Sequence, residues 1–333
     1  MNKRMKILVG LLAVLVAAAF LSLVIYLKIQ PPAKTQGQAV YFEIKPAESS
    51  FQIADGLMRH GLIKSKWLFL FFLKMKKGVI QAGVYELKPS LNLTETVKIL
   101  TEGQVKEWTV TFPEGFSTKD MAERLEKMNI VDKELFLKET SLVGKYKNEF
   151  PFLADVRASN LEGYLFPDTY RFSIKTTAEE IVKKMLSNFN KKVNNTLGEE
   201  IKKQGKNMND VIILASIVER EAKGDDRAKI ASVYLNRLNK GMKLEADPTV
   251  QYAKGNWGPI KQEDYQNVDS PYNTYKYAGL PPSPIANPGL SSIKAVLYPE
   301  QTNYLYFFHT KEGETIFSTT QKEHEQKKKE YLK

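Results

Sequence analysis

The 333-residue sequence predicts an α+β protein: an N-terminal transmembrane helix, a small βααβ module and a larger mixed α/β domain. Three observations predict it. Residues 7–27 carry no charge. From Val40, short strand-like runs alternate with amphipathic helical patterns. Beyond Asn160, a nearly wholly apolar helical run (209–222) ends in two glutamates, among stretches rich in Tyr, Pro and Asn.

The apolar run comes first. As a helix its 21 residues span about 31 Å, the thickness of a bilayer core. The basic tail, residues 1–6, puts the N-terminus in the cytoplasm and the rest of the chain outside. A cleaved signal peptide is the rival reading, because Ala17-Ala18-Ala19 offers a small-residue cleavage site. The apolar run continues past Ala19 to Leu27, which favours an uncleaved anchor. Residues 28–39, with Pro31 and Pro32, read as a juxtamembrane linker.

The next unit covers residues 40–105. It reads as strand 40–44, helix 50–58, helix 65–72, strand 83–87 and helix 93–101, ended by Gly103. Residues 121–136 echo the apolar pattern of 53–68, with a Pro turn before each: Pro46-Ala47-Glu48 and Pro113-Glu114-Gly115. Residues 106–159 are therefore a candidate second copy of the same small unit, within a domain running from 106 to 333. Any amphipathic helix pair could align this way, and that alternative stays open. Further helices are expected at 178–190, 210–222, 226–239 and 291–296. A strand at 304–308 pairs with 315–318 across Gly313. The charged tail from Gln321 reads as a solvated helix.

Composition narrows the chemistry. A formal charge of +11 suits a polyanionic setting: nucleic acid, an anionic membrane or an anionic wall polymer. No RNP motif, zinc finger or base-reading basic helix is present, which excludes nucleic acid as the reading of choice. The chain has no Cys, and His60, His309 and His324 show no ligand spacing, so neither disulfides nor a metal is expected. P-loop, dinucleotide and nucleophile-elbow patterns are missing, and no cofactor is expected. Ser291-Ser292-Ile293-Lys294 matches an SxxK spacing but lacks its companion triplets. Carboxylates are the main candidates for acid–base work.

Glu219 and Glu221 close the apolar helix. Successive residues turn 100°, so the two side chains point about 200° apart and cannot enter one cleft. Glu221 shares a face with Leu214, Ile217 and Val218. Glu219 shares one with Ile212, Ala215 and Ser216. One is a candidate acid, with its pKa raised by apolar surroundings; the other is a hydrogen-bond or ion-pair partner, with Arg237 as a candidate. Residues 161–170 (LEGYLFPDTY) alternate acids and aromatics in a loop, a composition that suits sugar rings or an aromatic core corner. Asp247-Pro248 favours a turn, and the Pro-rich stretch 279–289 suits a stiff cleft wall or a self-packed loop.

Six blocks in order carry a resemblance: 161–170, Ala215-Ser216-Ile217-Val218-Glu219-Arg220-Glu221, Asn236-Arg237-Leu238, Asp247-Pro248-Thr249-Val250, Tyr272-Asn273-Thr274-Tyr275 and Gly279-Leu280-Pro281-Pro282. The chain resembles the endolytic murein transglycosylase family, also called YceG-like or MltG. The resemblance implies a single-pass membrane enzyme, its first module LysM-like, that cuts nascent peptidoglycan within the glycan. Cleavage of the β-1,4 MurNAc–GlcNAc bond would leave 1,6-anhydroMurNAc ends and could terminate strand growth. The family's catalytic Glu maps onto Glu221. Glu162, Tyr164, Asp168, Tyr170, Glu219, Asn236, Arg237, Asp247, Thr249, Tyr272, Asn273 and Thr274 are the implied substrate-binding or supporting residues. Glycan strands, and peptidoglycan synthases (penicillin-binding proteins) at the same membrane, are the implied partners. A non-catalytic wall-binding protein and a hydrolytic muramidase with Glu162 or Asp168 as second carboxylate are the alternatives.

Overall fold

A computed structural model describes residues 3–33, 38–156, 158–222 and 224–332. Residues 1–2 of the basic tail and 34–37 of the expected linker lie outside the described residues. The architecture is mixed α+β with one N-terminal apolar helix. Two compact units are present: Met1–Trp108 with Arg171–Lys175, and Thr109–Tyr170 with Thr176–Lys333.

The first unit begins with α1 (Lys3–Ile29), whose segment Ile7–Ile29 is long and apolar enough to cross a membrane. Every side chain from 7 to 28 is exposed. The described part of the expected linker is held down. Ile29 packs on the unit's core, and the Ala33 N–H donates to the Pro89 carbonyl (3.1 Å). β1 (Val40–Ile44) leads into α2 (Ser50–Arg59) and α3 (Lys66–Met75). β2 (Gly83–Leu87) returns antiparallel to β1, with Phe42 opposite Tyr85. α4 (Leu93–Thr101) completes the core and β3 (Glu107–Thr111) follows. Reciprocal caps start the helices where the sequence suggests: Ser49 with Gln52, and Asn92 with Glu95. Ile53, Leu57, Phe69, Leu73, Val97 and Leu100 then turn inward onto Phe42, Tyr85 and Leu87.

The second unit continues with α5 (Thr118–Lys127), α6 (Lys133–Thr140) and α7 (Val143–Tyr146). β4 (Thr169–Ser173) pairs with β3, so a strand, three helices and a returning strand follow the strand, two helices and returning strand of the first unit. α8 (Ala178–Phe189), α9 (Asn195–Lys203) and α10 (Met208–Glu221) lead into α11 (Arg227–Asn239), α12 (Asp247–Lys254) and α13 (Asp264–Asn267). α14 (Leu290–Leu297), β5 (Tyr306–His309), β6 (Thr315–Ser318) and α15 (Gln321–Tyr331) complete it. β5 and β6 form the expected hairpin, with Phe307 opposite Phe317. α10 is the central helix, packed by α11, α12 and α14, and residues 211–218 are all buried.

Three expectations are corrected. Asp247-Pro248 opens α12 rather than forming a turn: Pro248 is the second residue of the helix, within the first turn, where its missing N–H has no intrahelical partner to lose and its φ is already set. Residues 283–289 are buried and line neither of the two cavities described below, so this part of the Pro-rich stretch is an internal strap, closer to the self-packed loop than to a cleft wall. Ser216 ties it down, its hydroxyl accepting from Ile285 N–H (3.0 Å). The tail helix α15 has no buried residue, yet Gln321, His324, Glu325 and Lys328 line a cavity, so one of its faces does more than meet solvent.

Candidate active site

α10 presents its two terminal carboxyls in opposite directions, as the 100° step requires. Glu219 turns inward. Its side chain is 5% exposed; Oε2 accepts from Gly289 N–H (2.9 Å) and Oε1 lies 3.4 Å from the Arg227 guanidinium. The expected partner Arg237 is engaged elsewhere. It donates to the carbonyls of Lys243, Leu244 and Leu305, and pairs with Glu245 at 2.9 Å. Arg227 wins Glu219 because it sits at the start of α11, beside the end of α10.

Glu221 turns the other way, into a cavity of about 570 Å³. Its Oε1 accepts from Tyr234 O–H (3.2 Å), and Oε2 lies 3.9 Å from His309 Nε2. Tyr234 comes from the next helix and His309 from the end of β5. Burial, and then the neighbouring Glu221 carboxylate, push the Tyr234 phenol well above its ordinary range. Tyr234 therefore stays a hydrogen-bond donor at neutral pH. The cavity's remaining walls are aromatic and charged. Tyr265 and Tyr275 pack ring on ring at 4.1 Å, and Tyr275 O–H donates to Asp247 Oδ1 at 2.7 Å. Tyr306 covers the Arg237 guanidinium at 5.0 Å. Burial lowers the His324 pKa, which favours a neutral imidazole on the α15 side.

A second cavity of about 690 Å³ lies against the buried Glu162. Glu162 Oε1 accepts from Thr118 N–H and Asn287 Nδ2, both at 2.9 Å, and Tyr252 O–H is 3.4 Å from Oε2. Burial pushes the Glu162 carboxyl up to about 7 despite these donors. Trp257 forms part of the wall. Its indole N–H donates to Asp120 (3.0 Å), and Arg220 stacks over its ring at 3.8 Å. Gly163, with φ +89°, lets the chain pass: a Cβ there would come within 2.5 Å of Pro284.

Of the residues singled out in the sequence, Arg237 and Asp247 join Glu221 around its cavity. Glu162 lines the second cavity, and the Tyr272 ring packs 5.0 Å from Tyr252 in its wall. The rest serve as supports. Tyr164 is buried between Phe152 and Phe189. Tyr170 O–H donates to the Phe166 carbonyl, and Asp168 pairs with Lys192 at 2.7 Å. Asn236 holds the chain entering β5 through the carbonyls of Thr302 and Tyr304. Thr249, Asn273 and Thr274 are buried, with Thr274 Oγ1 accepting from Ala246 N–H at the start of α12. Sequence reasoning missed Tyr234, Tyr265 and His309, and left Tyr275 out of the site. Tyr234 carried a signal, lying one turn before Arg237 on the same helix face. His309 carried none.

The YceG-like family pattern matches residues 42–330. The endolytic murein transglycosylase of Bacillus subtilis (strain 168) is 37% identical over 317 residues, covering 91% of this chain and 88% of that protein. The endolytic murein transglycosylase of Streptococcus pneumoniae (strain R6) is 31% identical over 310 residues; the match spans 84% of this chain and 56% of the pneumococcal protein. A crystal structure of a YceG-like protein from Listeria monocytogenes superposes with a TM-score of 0.62 at 35% identity, over 88% of this chain and 99% of that one.

Proposed function

This chain belongs to the YceG-like family, and from that membership we propose that it is an endolytic murein transglycosylase, a lyase acting on peptidoglycan, with Glu221 as its acid. The observation that carries the assignment is the position of Glu221: a mostly shielded carboxyl at the edge of an aromatic cavity, beside a phenol and an imidazole. The reaction needs one carboxyl. Protonated Glu221 donates to the oxygen linking N-acetylmuramic acid to N-acetylglucosamine, and the C1–O4 bond breaks. The muramyl 6-hydroxyl closes on C1, and the Glu221 carboxylate takes that hydroxyl's proton. The products are a 1,6-anhydromuramyl end and a free 4-hydroxyl; no water is consumed, and the enzyme returns to its starting state.

Tyr234 donates to the ionised form of Glu221 and so eases its proton loss. Tyr265, Tyr275 and Tyr306 offer ring faces to sugar, and Arg237 and Asp247 fix the walls that carry them. Glu162 is a support of the neighbouring cavity, where Tyr252 and Trp257 are placed to meet further sugars of the strand. The first unit acts as a LysM-like glycan-binding module. α1 anchors the chain in the cell membrane with its N-terminus in the cytoplasm, and a peptidoglycan synthase at the same membrane supplies new strands. Digestion of purified peptidoglycan with mass analysis of the ends tests the assignment. Anhydro ends that vanish in Glu221→Gln are expected. Reducing ends would instead make the enzyme a hydrolase, with Asp247 in the same cavity as the candidate base. Glycan binding without any new ends would leave a wall-binding protein.

A further inference from the structure

α3 presents an apolar stripe that none of the described residues covers. Trp67, Phe71 and Met75 recur every four residues along one face and are 71%, 57% and 65% exposed. Phe51 of α2, itself exposed, meets Trp67 edge-on at 6.4 Å and continues the patch. A soluble module gains nothing from a large apolar stripe left in water. Exposed lysines border it: Lys64 before the helix, Lys74 within the stripe, and Lys76 and Lys77 just beyond it. Aromatic rings flanked by lysines are the composition of a surface that sits at the boundary between headgroups and acyl chains.

The end of α1 shows which surface is near. The segment Ile7–Ile29 is about 34 Å long, slightly more than a hydrocarbon core. Its last turn does not hang from the unit on a tether. Ile29 packs into the core that also contains Phe69 and Leu73 of α3, and Lys64 Nζ reaches the Leu27 carbonyl (3.5 Å). Leu27 lies within the apolar stretch, so the α2–α3 turn stands at headgroup depth when α1 spans. Trp67 follows Lys64 by three residues, less than one helical turn.

We propose that the Trp67–Phe71–Met75 face of α3 lies in the outer face of the membrane that α1 crosses, with the neighbouring lysines against anionic lipid headgroups. The proposal rests on reading α1 as a membrane span. It gives the first unit two attachments to the bilayer, a span and an interfacial helix, and so fixes the tilt at which this unit stands above the membrane.

The chain has three tryptophans, Trp67, Trp108 and Trp257, so emission can report depth. The full-length protein is reconstituted in phosphatidylcholine–phosphatidylglycerol vesicles whose acyl chains carry bromine, a contact quencher of tryptophan. Alkaline carbonate extraction is run beside it. Retention by the vesicles, with a bromine-quenched emission component that Trp67→Phe removes, is the expected result. Phe71→Lys with Met75→Lys should at least halve that quenching while Trp67 remains. A retained protein whose Trp67 bromine does not quench overturns the proposal and leaves the span intact. Trp67 shielded from aqueous iodide yet untouched by bromine also overturns it, since a protein surface, such as a second copy, would then cover the patch. Release by carbonate removes the span reading itself, and the proposal with it.

Discussion

Glu162 and Glu221 each stand in the wall of a cavity in the same unit, and their surroundings differ in kind. Glu162 is wholly buried and receives a backbone N–H, a side-chain amide and a phenol from three separate segments. Those donors hold α5, the Pro-rich strap and α12 together through one carboxyl. Glu221 is 14% exposed and meets a phenol and an imidazole beside a space large enough for sugar. Burial alone therefore does not mark an acid catalyst. Both carboxyls leave water, but the first is committed to the fold, whereas the second faces groups that can reorient as a proton moves.

Removing each carboxyl should separate the two roles. Glu221→Gln is expected to lower formation of anhydro ends by roughly 100- to 10,000-fold, with little change in unfolding free energy. Loss of stability matching the loss of activity would erase the contrast. Glu162→Ala should do the opposite. The buried Thr118 N–H and Asn287 amide lose their acceptor, at about 3 kcal/mol of stability by urea unfolding. An unchanged midpoint would mean that Glu162 does not hold the segments together.

Protonation of Glu162 sharpens the comparison. Its carboxyl titrates at about 7 in the folded protein, against an ordinary value of 4.5. Below pH 4.5 both folded and unfolded forms hold the proton, and this contribution to stability is fully present. Between pH 4.5 and 7 the unfolded chain releases the proton first, and about 3 kcal/mol is lost, remaining lost above pH 7. Glu162→Gln cannot ionise, so its stability should be flatter across that window and its advantage over the parent greatest at pH 7 and above. Parallel pH profiles for the two proteins would place the Glu162 titration elsewhere. The smallest effect is expected from Tyr234→Phe: about a tenfold loss in rate, roughly 1.4 kcal/mol, and a shift of the alkaline limb of the pH–rate profile, where the protonated acid is lost, to higher pH. The donor to the Glu221 carboxylate is then gone, which raises the pH at which the acid ionises. An unmoved limb would show that Tyr234 does not tune it.

Much of this was legible in the sequence. Apolar spacing placed α2, α4, α8, α10 and α11 to within a few residues. The 100° rule separated Glu219 from Glu221 before any coordinates were known. The supports Thr249, Asn273 and Thr274 stood out as polar residues in short motifs, but their burial and the Thr249–Thr274 hydrogen bond did not. Asp247-Pro248 was misread because the same dipeptide that favours a turn also starts a helix, and only the packing of α12 against α10 selects between them. The Pro-rich strap was misread for a related reason: stiffness says nothing of which side meets water.

Local patterns determined the membrane-length helix, the strand–helix–helix order and a central apolar helix ending in two divergent carboxyls. Periodicity and capping act within a few residues, so they can be read along the chain. Only the tertiary structure decided that Glu219 meets Arg227, that Glu221 meets Tyr234 and His309, and that Glu162 joins three segments. Those contacts join residues on separate elements, and the way the elements pack, not the order of their residues, sets which groups come within hydrogen-bonding distance.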